Sequence, residues 1–102
     1  MKHKYGKASK KQVMDNETDL INQIYKLLPY KENNFKDLDY YFSTLLFRIS
    51  GMSELFNKPS ELITVLSLLE SARNEEDFRL YRKAVLDSCS LIKELQERTG
   101  EE

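Results

Sequence analysis

The chain has 102 residues, 40% hydrophobic and 32% charged, with a formal net charge of −1. That bounds it to one domain with a single modest core and a well-hydrated surface. Three glycines and two prolines argue against a turn-rich β-fold, and one cysteine excludes an internal disulfide and fits a reducing compartment. No apolar run approaches the ~18 residues of a membrane-spanning helix, nor does the start carry the apolar core of a secretory signal, so a cytoplasmic protein is expected.

Residues 1–12 contain Lys2, Lys4, Lys7, Lys10 and Lys11, no acid and no apolar periodicity. They are expected to form a disordered basic arm, with residues 13–102 as a single helical domain. Of sixteen basic side chains, five lie in this arm, leaving eleven against seventeen acids in the body. The five lysines, with Tyr5 among them, are a candidate polyanion-binding segment whose affinity would fall steeply with salt. A solubilising tail is the simpler alternative. The acidic body argues against a duplex partner, and at the junction near Arg73 a helix-turn-helix would present Glu75, Glu76 and Asp77 to phosphates.

A first helix is predicted from Asn16, with Asn16 as its cap and Glu17 and Asp19 set against the helix dipole. Leu20, Ile21, Ile24, Leu27 and Leu28 form its apolar face, which Val13 and Met14 extend backwards if the helix starts earlier. Pro29 ends it, because the residue before a proline is pushed out of helical geometry.

The central stretch organises the rest. Phe35, Leu38, Phe42, Leu45, Ile49, Met52 and Phe56 are spaced alternately three and four residues apart, the seam of a long helix over 34–56 capped by Asn33 or Asn34. A thinner stripe of Tyr40, Thr44, Phe47, Gly51 and Leu55 lies roughly 150° away at the helical turn per residue. A helix apolar on two sides needs cover on two sides. It is expected to stand as the central post of a helical bundle, or to be covered partly by a second copy.

Pro59 fits the first turn of a third helix reaching Arg73, where its missing N–H has no partner to lose. Leu62, Ile63, Val65, Leu66, Leu68, Leu69 and Ala72 reach most of its faces, which makes it a deeply buried element. Asn74 then reads as a fresh cap, followed by Glu75, Glu76 and Asp77 in the first turn of a fourth helix. The stripe of that helix is Phe78, Tyr81, Val85, Cys89, Ile92 and Leu95, running to about Arg98 with Gly100 as terminator.

The fold class is therefore all-α: an antiparallel four-helix bundle built on helix 34–56, with the basic arm outside it. The short first and third helices cannot cover the long second and fourth along their whole length. Uncovered apolar surface is expected at Tyr40, Phe47, Gly51 and Leu55 on the post and at Leu91 and Leu95 near the end of the last helix, and these are the candidate partner-binding residues.

Enzymatic constellations are missing. The lone histidine, His3, sits in the arm, and Cys89 lies on an apolar stripe where a buried, inert thiol is the expectation. Asp37 and Asp39 diverge by ~200° on a helix, too far to share a metal. No glycine-rich phosphate loop occurs, and no catalytic residue, cofactor or metal site is assigned. In size and helix organisation the chain resembles small phage tail-assembly chaperones and the cytoplasmic bacteriocin-immunity proteins, which are antiparallel four-helix bundles. The expected function is a non-catalytic protein-interaction module that binds a protein partner or itself without membrane insertion: an adaptor, assembly chaperone or small subunit. The alternatives are a bacteriocin-immunity-type bundle and a nucleic-acid accessory protein using the arm.

Overall fold

Five α-helices and their short links make up residues 9–101, the residues that the computed structural model describes. They are α1 (Lys10–Tyr25), α2 (Leu27–Glu32), α3 (Leu38–Leu55), α4 (Ser60–Arg73) and α5 (Phe78–Gly100). Among the described residues there is no strand, and no helix is long and apolar enough to cross a membrane.

The first helix starts six residues earlier than its expected cap at Asn16. Ser9 and Gln12 form a reciprocal capping box: Gln12 N–H donates to Ser9 Oγ at 3.1 Å, and Ser9 N–H donates to Gln12 Oε1 at 2.9 Å. Two end amides are satisfied at once, so Lys10 and Lys11 belong to the helix rather than to a disordered arm. Of the arm expected over residues 1–12, residues 1–8 lie outside the described residues. Asn16 sits mid-helix instead, its Nδ2 donating to the Gln12 carbonyl.

Pro29 does not end α1. Helix α1 closes at Lys26, whose own backbone stays helical, and Pro29 is the third residue of α2, where a missing N–H costs little. Asn34, expected as a cap for the long helix, instead supplies a left-handed turn (φ 52°) that sends Phe35 back onto Tyr30, the rings 4.5 Å apart. Phe35 therefore leaves the seam, and α3 begins only at Leu38. At its far end Asn57 and Lys58 both take positive φ, and the Lys58 amide donates to the Ser53 carbonyl.

Asn74 closes α4, and Asp77 opens α5 by accepting the Arg79 amide on Oδ1 at 2.9 Å. The run Glu75–Asp77 thus lies in the link and cap, not in the first turn. Glu75 braces the link by accepting the Asp77 amide.

The packing places α5, not α3, at the centre. It lies against both α1 and α4, while α3 packs chiefly on α4. From α1 into α2 the partners on α5 fall at lower and lower numbers: Lys10 with Gly100, Glu17 with Thr99, Ile21 with Cys89, and Leu27 of α2 with Tyr81. Side-chain ties close the remaining sides. Arg48 on α3 donates to Asp19 and Gln23 on α1, Arg73 on α4 forks onto Asp39 and Ser43 on α3, and Arg98 on α5 reaches Glu61 on α4. One apolar core runs through all five helices, with Tyr81, Phe42, Ile49 and Leu62 among its largest enclosed side chains. The third predicted helix is less enclosed than its composition suggests. Leu62, Val65 and Leu69 are buried, but Leu66 and Leu68 are half-covered and Ile63 is half exposed.

Candidate interaction surface

The two stripes of the long helix meet opposite fates. Phe42, Leu45, Ile49 and Met52 face the core. On the other side Tyr40, Phe47 and Leu55 are 75%, 83% and 68% exposed, and a Cβ built on Gly51 meets nothing within 4 Å. Neither α1 nor α4 reaches this face. It extends about four turns, or ~22 Å, along α3. Single exposed apolar residues are ordinary, but two aromatics and a leucine aligned on one helix face form a patch that water solvates poorly.

Charges beside the patch are satisfied within the chain. Asp39 pairs with Arg73 at 2.7 Å, Arg48 with Asp19 at 2.8 Å, and Glu54 with Lys58 at 3.7 Å. The hydrogen bond from Arg73 holds the Asp39 carboxyl below its ordinary range. The centre, Ser43 to Phe47 with Ser50 and Gly51, carries no charge at all. An apolar strip between neutralised pairs repels neither sign of partner, and its contribution to association is burial rather than steering.

At the far end of α5 the expectation of uncovered surface is overturned. Leu95 and Ile92 are core residues, and Leu91 is half-buried against that core. The reason is the early start of α1, whose six added residues, nearly two turns, reach as far as Gly100. Val13 is fully enclosed, and Gln96 Nε2 donates to the Met14 carbonyl and to Thr18 Oγ1. Of the lysines expected to meet a polyanion, Lys10 donates to the Gly100 carbonyl and Lys11 pairs with Asp15. Lys2, Lys4 and Lys7 lie outside the described residues.

Two buried groups carry unusual electrostatics. Cys89 is enclosed, and burial pushes its thiol up to about 11, so it stays protonated at neutral pH. Glu17 has no exposed surface. Its Oε2 lies 3.1 Å from Thr99 Oγ1, its Oε1 has no hydrogen-bond partner among the described residues, and burial lifts its pKa to about 7. Sequence reasoning placed Glu17 in a first turn. Its spacing from Val13, Leu20 and Ile24, by four, three and seven residues, marks it as a member of the buried face, and that signal was legible. Among the described residues no three His, Cys, Asp or Glu side chains converge to hold a metal.

Comparisons with protein-family models, with characterised proteins and with solved structures give no match to the chain.

Proposed function

We propose that this chain is an antiparallel four-helix bundle, α2 being a short adjunct to α1, that works in the cytoplasm as a non-catalytic protein-interaction module. An adaptor, an assembly chaperone and a small subunit all fit that description. Its docking face is the outer side of α3, where Tyr40 and Phe47 flank the uncharged centre and Leu55 closes the strip beyond Gly51. The single observation that carries the reading is the 83% exposure of Phe47 in a helix whose opposite side is fully packed. A partner helix laid along this strip would bury both rings, and Gly51 permits close backbone approach there. The opposed pairing of α1 with α5 supports the antiparallel arrangement.

The test is capture of partners from host extract, with sedimentation of the purified chain, using wild type and Phe47→Asp. Association lost in the variant, with unchanged circular dichroism, supports the reading; association equal in both overturns it. The polyanion alternative draws less support, because Lys10 and Lys11 are engaged within the chain.

A further inference from the structure

The end of the molecule where α1 begins and α5 finishes contains an arrangement that the interaction reading does not use. Thr99 has one hydroxyl hydrogen and two acceptors in reach, the Leu95 carbonyl at 3.0 Å and Glu17 Oε2 at 3.1 Å. With Glu17 ionised, that hydrogen serves one acceptor, and an enclosed carboxylate keeps at most a single donor. With Glu17 neutral, its own O–H donates to Thr99 Oγ1, and the threonine hydrogen goes to Leu95. Both contacts are then made, and no charge is buried.

Among the described residues no charged group is paired with Glu17. On α5 the flanking Glu97 and Arg98 are exposed, and Arg98 turns to Glu61 of α4. On α1 itself Lys10 is committed to Gly100 and Lys11 to Asp15. Burial raises the pKa of the carboxyl, and the hydrogen bond with Thr99 opposes that rise.

We infer that Glu17 is a proton-operated latch: its neutral carboxyl fastens the first turns of α1 to the end of α5, and its ionisation loosens them. Loosening uncovers Val13 and Leu95, both enclosed when the latch is shut. The ends of a helical domain open at lower cost than its middle, so the effect is confined to this end. Burial sets the carboxyl to titrate near neutrality, so modest pH changes act on it.

The experiment uses the full chain. Carboxyl-carbon resonances of labelled glutamates are followed through a pH titration, with amide exchange in α1 and α3 measured at each pH and corrected for intrinsic rates. Glu17 is expected to keep its proton well above the ordinary carboxylate range. Between about pH 4.5 and 7, where the carboxyl ionises on opening but keeps its proton when enclosed, the early amides of α1 should lose protection relative to α3 by up to about tenfold per pH unit. Glu17→Gln should abolish that pH dependence. The latch is overturned if Glu17 titrates in the ordinary carboxylate range, or if protection of α1 relative to α3 stays constant between about pH 4.5 and 7. The first two measurements need no variant, so a poorly folding Glu17→Gln leaves the test intact.

Discussion

Two positions on α3, two residues apart, are expected to respond in opposite ways to substitution. Phe47 is 83% exposed and Ile49 is fully buried. Enclosing a phenylalanine is worth ~1.5–3 kcal/mol, so the sixth of Phe47 that is covered contributes roughly 0.3–0.5 kcal/mol. Helix propensities of Phe and Asp are close, so Phe47→Asp should change stability by no more than ~0.5 kcal/mol. Ile49→Ala removes enclosed methyl groups and leaves a cavity, at ~2–5 kcal/mol, a large share of the ~5–15 kcal/mol that holds such a domain together. The assay is urea unfolding followed by circular dichroism, at a concentration low enough to exclude self-association. With a slope of ~1–3 kcal/mol per molar urea, Ile49→Ala should move the midpoint by about 1 M or more, and Phe47→Asp should barely move it. If Phe47→Asp loses more than ~1 kcal/mol, the ring is packed by its own chain and the docking face does not exist.

Between about pH 4.5 and 7 the difference in stability between wild type and Glu17→Gln should fall as pH rises. The folded-state pKa is lifted from 4.5 to about 7, so the neutral group's contribution is whole below 4.5 and gone once pH passes the folded value. The total change is ~3 kcal/mol, and a difference flat over that window refutes it. Gly51→Ala should stabilise the isolated chain by ~0.5–1 kcal/mol, since the added methyl meets open space, while weakening any partner whose backbone crosses there; thermal melts and binding on the same sample decide it. Leu95→Ala should cost ~2–5 kcal/mol by chemical denaturation, because the residue belongs to the core, and a near-neutral result would mean that α1 does not cover it.

Periodicity made the helices legible, since each face is written into nearby residues. The stripe from Phe42 to Met52, the faces of α1 and α5, and the boundary at Pro59 follow from the helical repeat and from proline's missing donor. The boundaries that differ have local competitors. Ser9 with Gln12 satisfies two amides where Asn16 would satisfy one, and Pro29 is harmless in a first turn. Asn34 serves better in a left-handed turn than as a cap, so the long helix starts late and Phe35 packs on Tyr30 instead of the seam.

What the chain determined by itself is which side of each helix is apolar, and that α3 has two such sides. Which side stays wet is a property of neighbours, and neighbours are fixed only when all the helices pack. Helix α5 takes the centre because α1, begun at Lys10, is long enough to cover it as far as Thr99 and Gly100. That same reach encloses Leu95, which looked free, and buries Glu17, which looked like a surface acid. Helix α3 is left with α4 on one flank and only side-chain ties to α1 on the other, so Tyr40 and Phe47 remain in water. Burial sums over every element at once, and no single stretch of residues contains that sum.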